Sequence, residues 1–151
     1  MKKIVISGYY GFNNLGDEAV LAGITSLLKN KDKDIKITVL SADPETTAAR
    51  YDINSASRTS FFQIPAVLAE ADLFISGGGS LLQDVTGSFS VPYYLGLSWV
   101  AKLQGAKCVY YAQGTGPLEK WWSRKLTALT LNRFDFLGVR DYGSKKLLQE
   151  I

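Results

Sequence analysis

Short β-branched runs that end in glycine loops, each followed by a stretch with helical spacing, recur along the whole chain. This alternation constrains the fold more than any other feature. Residues 3–7 form a short β-branched run ending at Gly8, and residues 17–29 then place Ala19, Val20, Ile24, Leu27 and Leu28 on one helical side. Residues 35–40 alternate Ile35, Ile37 and Val39 against Lys36 and Thr38, the period of a strand. Asp43-Pro44-Glu45 opens the next helix, with Asp as cap and Pro in the first turn. A weaker strand is expected at 53–57 and a helix at 61–71, whose first half holds Pro65. Leu73-Phe74-Ile75 reads as a buried strand running into Gly77-Gly78-Gly79. Helices at 92–104, 119–133 and 143–150 then alternate with strands at 107–112 and 136–139. Such alternation predicts an α/β domain of three layers, with a mostly parallel sheet between helices. The 151 residues suit a single domain, 1–151. In sheets of this kind ligands sit beyond the carboxyl ends of the strands, so the glycine loops are expected to share one rim.

Two counts narrow the chemistry. The chain has no histidine and one cysteine, Cys108. An internal disulfide, a CxxC motif, a His-based metal site and a Ser–His or Cys–His pair are therefore excluded, and no metal site is expected. Acid–base work falls to Asp, Glu, Lys, Arg, Tyr or the thiol, and Cys108 itself reads as a buried small hydrophobe. The net charge of +3 comes from residues 119–151, with seven basic and four acidic side chains against ten of each in residues 1–118. This is too sparse for a nucleic-acid stripe, so no nucleic-acid partner is expected. The N-terminus shows no signal-peptide core and no stretch reaches the length of a spanning helix, so a cytoplasmic location is expected.

The loops carry the polar groups. The first reads Gly8-Tyr9-Tyr10-Gly11-Phe12-Asn13-Asn14-Leu15-Gly16-Asp17-Glu18. It lacks GxGxxG, and although Gly11 and Gly16 have P-loop spacing, Asp17 and Glu18 stand where Lys and Ser/Thr belong and would repel phosphates. Asp17 falls at a helix N-terminus, which favours its ionised form and is expected to lower its pKa. It is either the cap of that helix or a carboxylate that orients or deprotonates a substrate hydroxyl. Gly77, Gly78 and Gly79 either form a backbone nest for an anion or sugar oxygen or make a tight turn, with Gln83 and Asp84 adding polar groups. Gln113, Gly114 and Gly116 offer an amide side chain and backbone N–H groups before Pro117. Arg140 closes the last strand, where it can bind a phosphate or carboxylate or pair with Asp141 or Asp17. Lys120-Trp121-Trp122-Ser123-Arg124-Lys125 mixes indoles with cations, suiting a sugar platform, a membrane edge or a domain contact; core packing of a tryptophan is the alternative.

Taken together these motifs resemble the polysaccharide pyruvyl transferase family, and most of all its bacterial branch acting on cell-wall polymers. The resemblance is carried by Ile6-Ser7-Gly8-Tyr9-Tyr10-Gly11 with Asn14-Leu15-Gly16-Asp17-Glu18-Ala19, by Ile75-Ser76-Gly77-Gly78-Gly79-Ser80-Leu81-Leu82-Gln83-Asp84, by Ala112-Gln113-Gly114-Thr115-Gly116-Pro117-Leu118, and by Val139-Arg140-Asp141 with Ser144. It implies a Rossmann-like domain, one half of a GT-B-like pair facing a cleft. It also implies transfer of the enolpyruvyl unit of phosphoenolpyruvate, as donor substrate and with no cofactor, onto two hydroxyls of a sugar. By resemblance Asp17 serves the acceptor hydroxyls, Arg140 the donor, and Gly11, Asn14, Gly16, Gly77, Gly78, Gly79, Gln83, Asp84, Gln113, Gly114 and Gly116 shape the substrate pocket. The chain is expected to be the N-terminal half, inactive without a C-terminal domain. Expected partners are a glycan acceptor, lipid-linked in one version, and a second copy of the chain; the expected place of work extends to the inner membrane face. A stand-alone sugar- or phosphate-binding module and a subunit without chemistry stay open as alternatives.

Overall fold

The computed structural model describes residues 1–151 apart from Thr86 and Ser88. In chain order its elements are β1 (Lys2–Ser7), α1 (Leu15–Lys31), β2 (Ile35–Ser41), α2 (Pro44–Tyr51), β3 (Asn54–Ser57), α3 (Gln63–Ala69), β4 (Leu73–Gly77), α4 (Ser90–Leu103), β5 (Lys107–Gln113), α5 (Trp121–Leu131), β6 (Phe136–Val139) and α6 (Tyr142–Glu150). The strands form one sheet in the order β3-β2-β1-β4-β5-β6. Every pair is parallel. The domain is therefore α/β, three-layered and Rossmann-like, with a wholly parallel sheet where a mostly parallel one was expected.

Alternation within the strands divides the core. Ile4 and Ile6 of β1, with Ile37, Val39 and Ile75, face α1 and pack against Leu21 and Ile24. Val5, Leu40, Phe74 and Cys108 point the other way, against Leu68 of α3 and Leu97 and Ala101 of α4. A third cluster joins Leu81, Leu82, Tyr94, Leu95 and Tyr110 to Leu131 of α5, with Leu147 and Leu148 of α6 packed on it. Burial on both faces is why the middles of β1 and β4 read as continuous apolar runs.

Several helix ends differ from the expectation, each for a local reason. The first helix starts at Leu15, and its cap is Asn14, whose side chain accepts from the Gly16 N–H. Asp17 is thus the third helical residue and not the cap. Pro65 is the third residue of α3 and Pro92 the third of α4, positions whose N–H has no intrahelical partner to lose. Helix α5 begins at Trp121, two residues later than expected, because the carboxylate of Asp84 ties down the Glu119 and Lys120 N–H groups.

The chain runs outward from β1 through β2 to β3, then returns to place β4 beside β1. The loops leaving β1 and β4 therefore part in opposite directions, and the crevice between them is where such sheets bind ligands.

Candidate active site

A cavity of about 780 Å³ occupies that crevice. Its walls come from Tyr9, Asn14, Gly16 and Asp17 after β1, Arg58 and Thr59 after β3, Gly79, Ser80 and Gln83 after β4, and Arg140 after β6; Phe89, Tyr93 and Tyr94 add aromatic surface. Loops distant in sequence thus meet at one rim, with Asp17 and Arg140 in the same hollow.

Asp17 is only 8 % exposed. Burial raises its pKa, the Arg140 guanidinium pulls it back down, and the neighbouring Glu18 carboxylate raises it further; the net direction is upward. The sequence expectation of a lowered pKa is therefore corrected: loss of hydration outweighs the helix N-terminus. Arg140 is held at both ends. Its backbone N–H donates to the Gln113 carbonyl at 3.1 Å. Its Nη2 donates to Ser80 Oγ at 2.9 Å, and Nε lies 3.5 Å from Asp141. The Arg140–Asp141 pair considered from sequence thus exists, and an electrostatic link to Asp17 exists beside it.

The glycines mainly provide clearance. A Cβ at Gly79 (φ +71°) would stand 2.5 Å from Asp17 Oδ1, and one at Gly114 would stand 2.8 Å from Arg140 Nη2. Gly77 and Gly78 let β4 approach Ile24 and Val20 of α1, with a Gly78 Cβ 2.9 Å from Val20. The Gly78 N–H donates to the Tyr111 carbonyl at 3.1 Å. That donor is therefore not free to cradle a ligand. Gly11 (φ +80°) presses on Ser41 and Asp43, and Gly116 (φ +92°) on Leu147.

Asn14, Gly16, Asp17, Gly79, Gln83 and Arg140 line the cavity; Gly11, Gly77, Gly78, Asp84, Gln113, Gly114 and Gly116 do not. The loops after β4 and β5 are zipped together by Gly114 N–H to Gly79 O (2.9 Å) and Gly116 N–H to Leu82 O (2.7 Å). Gln113 is fully buried and donates from Nε2 to Ser76 Oγ at 2.6 Å. Asp84 is buried too, and its two oxygens accept from Glu119 and Lys120. Those two side chains support the wall from behind. In the Lys120–Lys125 segment, Trp121 is exposed and Trp122 partly buried beneath the Lys120 ammonium, 5.8 Å from the ring centroid.

The sequence reading gave neither Glu18 nor Arg58 a place in the site. Glu18 accepts from the Gly11 N–H at 2.9 Å and from the Tyr51 hydroxyl at 2.5 Å, with Arg50 Nη1 3.7 Å away. It staples the β1–α1 loop to α2. Adjacency to Asp17 in a helix first turn is the one sequence signal that it had. Arg58 sits in an aromatic box; an isolated arginine between Ser57 and Thr59 gave no signal at all.

A carboxylate held above its ordinary pKa is a stronger proton acceptor, and a guanidinium nearby stabilises developing negative charge. The family model for polysaccharide pyruvyl transferase matches residues 14–151, most of the chain and all of the cavity-lining loops except Tyr9. The chain belongs to the polysaccharide pyruvyl transferase family. Family membership makes it a member of a transferase family concerned with polysaccharides. Among curated proteins no match is found. No described helix is long and apolar enough to cross a membrane.

Proposed function

We propose that the chain is the acceptor-side domain of a transferase that moves the enolpyruvyl group of phosphoenolpyruvate onto a sugar of a cell-wall or exopolysaccharide. The observation that supports this reading best is Asp17, a nearly buried carboxylate of raised pKa that shares a cavity with Arg140.

In this reading the methylene carbon of phosphoenolpyruvate takes a proton, leaving an oxocarbenium-like carbon. A sugar hydroxyl adds to that carbon and gives its proton to Asp17. A second hydroxyl of the same sugar then displaces phosphate and closes the ketal, its proton leaving with the phosphate. The products are one pyruvate ketal and inorganic phosphate. Arg140 faces the donor's carboxylate or phosphate. A second, GT-B-like domain completes the donor side, and the work is done in the cytoplasm, on a lipid-linked acceptor at the membrane face in one version.

The test is phosphate release from phosphoenolpyruvate against a panel of glycan acceptors, with the complete transferase. Asp17→Asn and Arg140→Ala are each expected to lower turnover at least about a hundredfold. Near-normal turnover in either variant removes that residue from the mechanism, and no acceptor-dependent release removes the reading.

A further inference from the structure

Arg58 leaves β3 at the rim with its backbone fixed on both sides. Its N–H donates to the Ser41 carbonyl at 3.0 Å, and its carbonyl accepts from the Tyr93 hydroxyl at 2.6 Å. The guanidinium carbon lies 5.0 Å from the ring centroids of Phe12 and Tyr93, 5.6 Å from Tyr94 and 5.9 Å from Tyr9. Nη2 donates to the Tyr94 hydroxyl at 3.1 Å. Nη1 is buried without a hydrogen-bond partner. None of the ion pairs among the described residues includes Arg58.

A guanidinium cannot shed its charge and presents five in-plane donors. Aromatic faces attract the cation but offer it no oxygen acceptor. The box therefore orients Arg58 and leaves its edge short of acceptors. Arg140, by contrast, already engages Ser80 and Asp141. The two arginines follow the strands at opposite edges of the sheet, with Asp17, in the first turn of the helix after β1, between them. We propose that Arg58 is an anion-binding residue of this cavity, placed to take a phosphoryl group of a bound substrate. A phosphoryl group supplies the several oxygens that match the guanidinium fork. It can come from phosphoenolpyruvate or from a phosphorylated sugar. The inference rests on the proposed function only in the choice of these ligands.

Calorimetric titration of the chain with phosphoenolpyruvate, glucose 1-phosphate and glucose tests it. The unsubstituted chain is compared with Arg58→Met and with Lys125→Met, an exposed position that loses the same charge. At least one phosphorylated ligand is expected to bind about tenfold or more weakly to Arg58→Met, with glucose unaffected and Lys125→Met unchanged. The ligand that responds identifies the source of the phosphoryl group. The proposal is overturned if neither phosphorylated ligand binds the unsubstituted chain, if Arg58→Met leaves both unchanged, or if glucose or Lys125→Met shows an equal loss. Should Arg58→Met not fold, Arg58→Lys keeps the charge and loses the fork. Weaker phosphate-ligand binding by it, with a saturable shift of the Arg58 Nε–H resonance in the unsubstituted chain, supports the assignment; a static resonance overturns it. Pyruvyl transfer that does not depend on Arg58 leaves the proposed function standing and removes Arg58. Arg58-dependent binding without any transfer does the reverse.

Discussion

Asp17 is governed by a balance among burial, one cation and one anion. Burial and Glu18 raise its pKa, and Arg140 lowers it. A carboxyl titration followed by ¹³C NMR is therefore expected to place Asp17 above the ordinary 3.8. In Arg140→Gln it moves higher still, and in Glu18→Gln it moves down. A raised folded-state pKa means that the folded chain binds the Asp17 proton more tightly than the unfolded one. Stability from this residue is thus fully present below the ordinary pKa and is lost as pH rises through the raised one. Asp84 has the opposite sign: burial works against its charge, but hydrogen bonds from the Glu119 and Lys120 N–H groups with the nearby Lys120 ammonium outweigh it and hold the pKa low. Its contribution is present above the ordinary carboxylate pKa and disappears as pH falls through the depressed one. Asp84→Ala is expected to cost about 1–3 kcal/mol near neutral pH, and less in acid. Urea unfolding at several pH values measures both the loss and its trend.

At the scale of elements, the N-terminus of α1 organises the site. Asn14 caps it, Asp17 projects from its first turn into the cavity, and Glu18 ties that turn to Gly11 and Tyr51. Glu18→Gln replaces a charged acceptor with a neutral one, so the Gly11 amide is expected to lose protection from hydrogen exchange while amides in β1 keep theirs. Unchanged Gly11 protection would show that the loop stands without this staple. The strands and helices were legible because their periodicities lie in contiguous residues: Ile35, Ile37 and Val39 announce β2, and Asp43-Pro44 announces α2, whose cap Asp43 proves to be. The start of α5 was not legible, because the carboxylate that sets it belongs to Asp84, thirty-five positions away from Glu119. The triple glycine was legible as a turn, but its chief use was not. It makes room for Val20 and Asp17, residues of another element.

At the scale of the molecule, the carboxyl edge of the sheet differs from the rest. Phe61 and Phe62 are 90 % and 92 % exposed, and Phe89 is 88 % exposed. Phe74, in the middle of β4, is fully buried. Phe61→Ser with Phe62→Ser is expected to shift unfolding stability by no more than about 0.5 kcal/mol per site, whereas Phe74→Ala is expected to cost about 3–5 kcal/mol. Equal losses in urea titrations would mean that the exposed pair packs against something in solution. The linear sequence determined the layers, the parallel sheet and the positions at which strands give way to glycine, because local periodicity and backbone freedom are properties of neighbouring residues. Only the tertiary structure decided that Asp17 and Arg140 share a hollow, that Asp17 titrates upward, that Asp84 and Gln113 brace the wall and that Arg58 joins it. Burial and the pairing of charges depend on segments that meet only when the sheet is assembled.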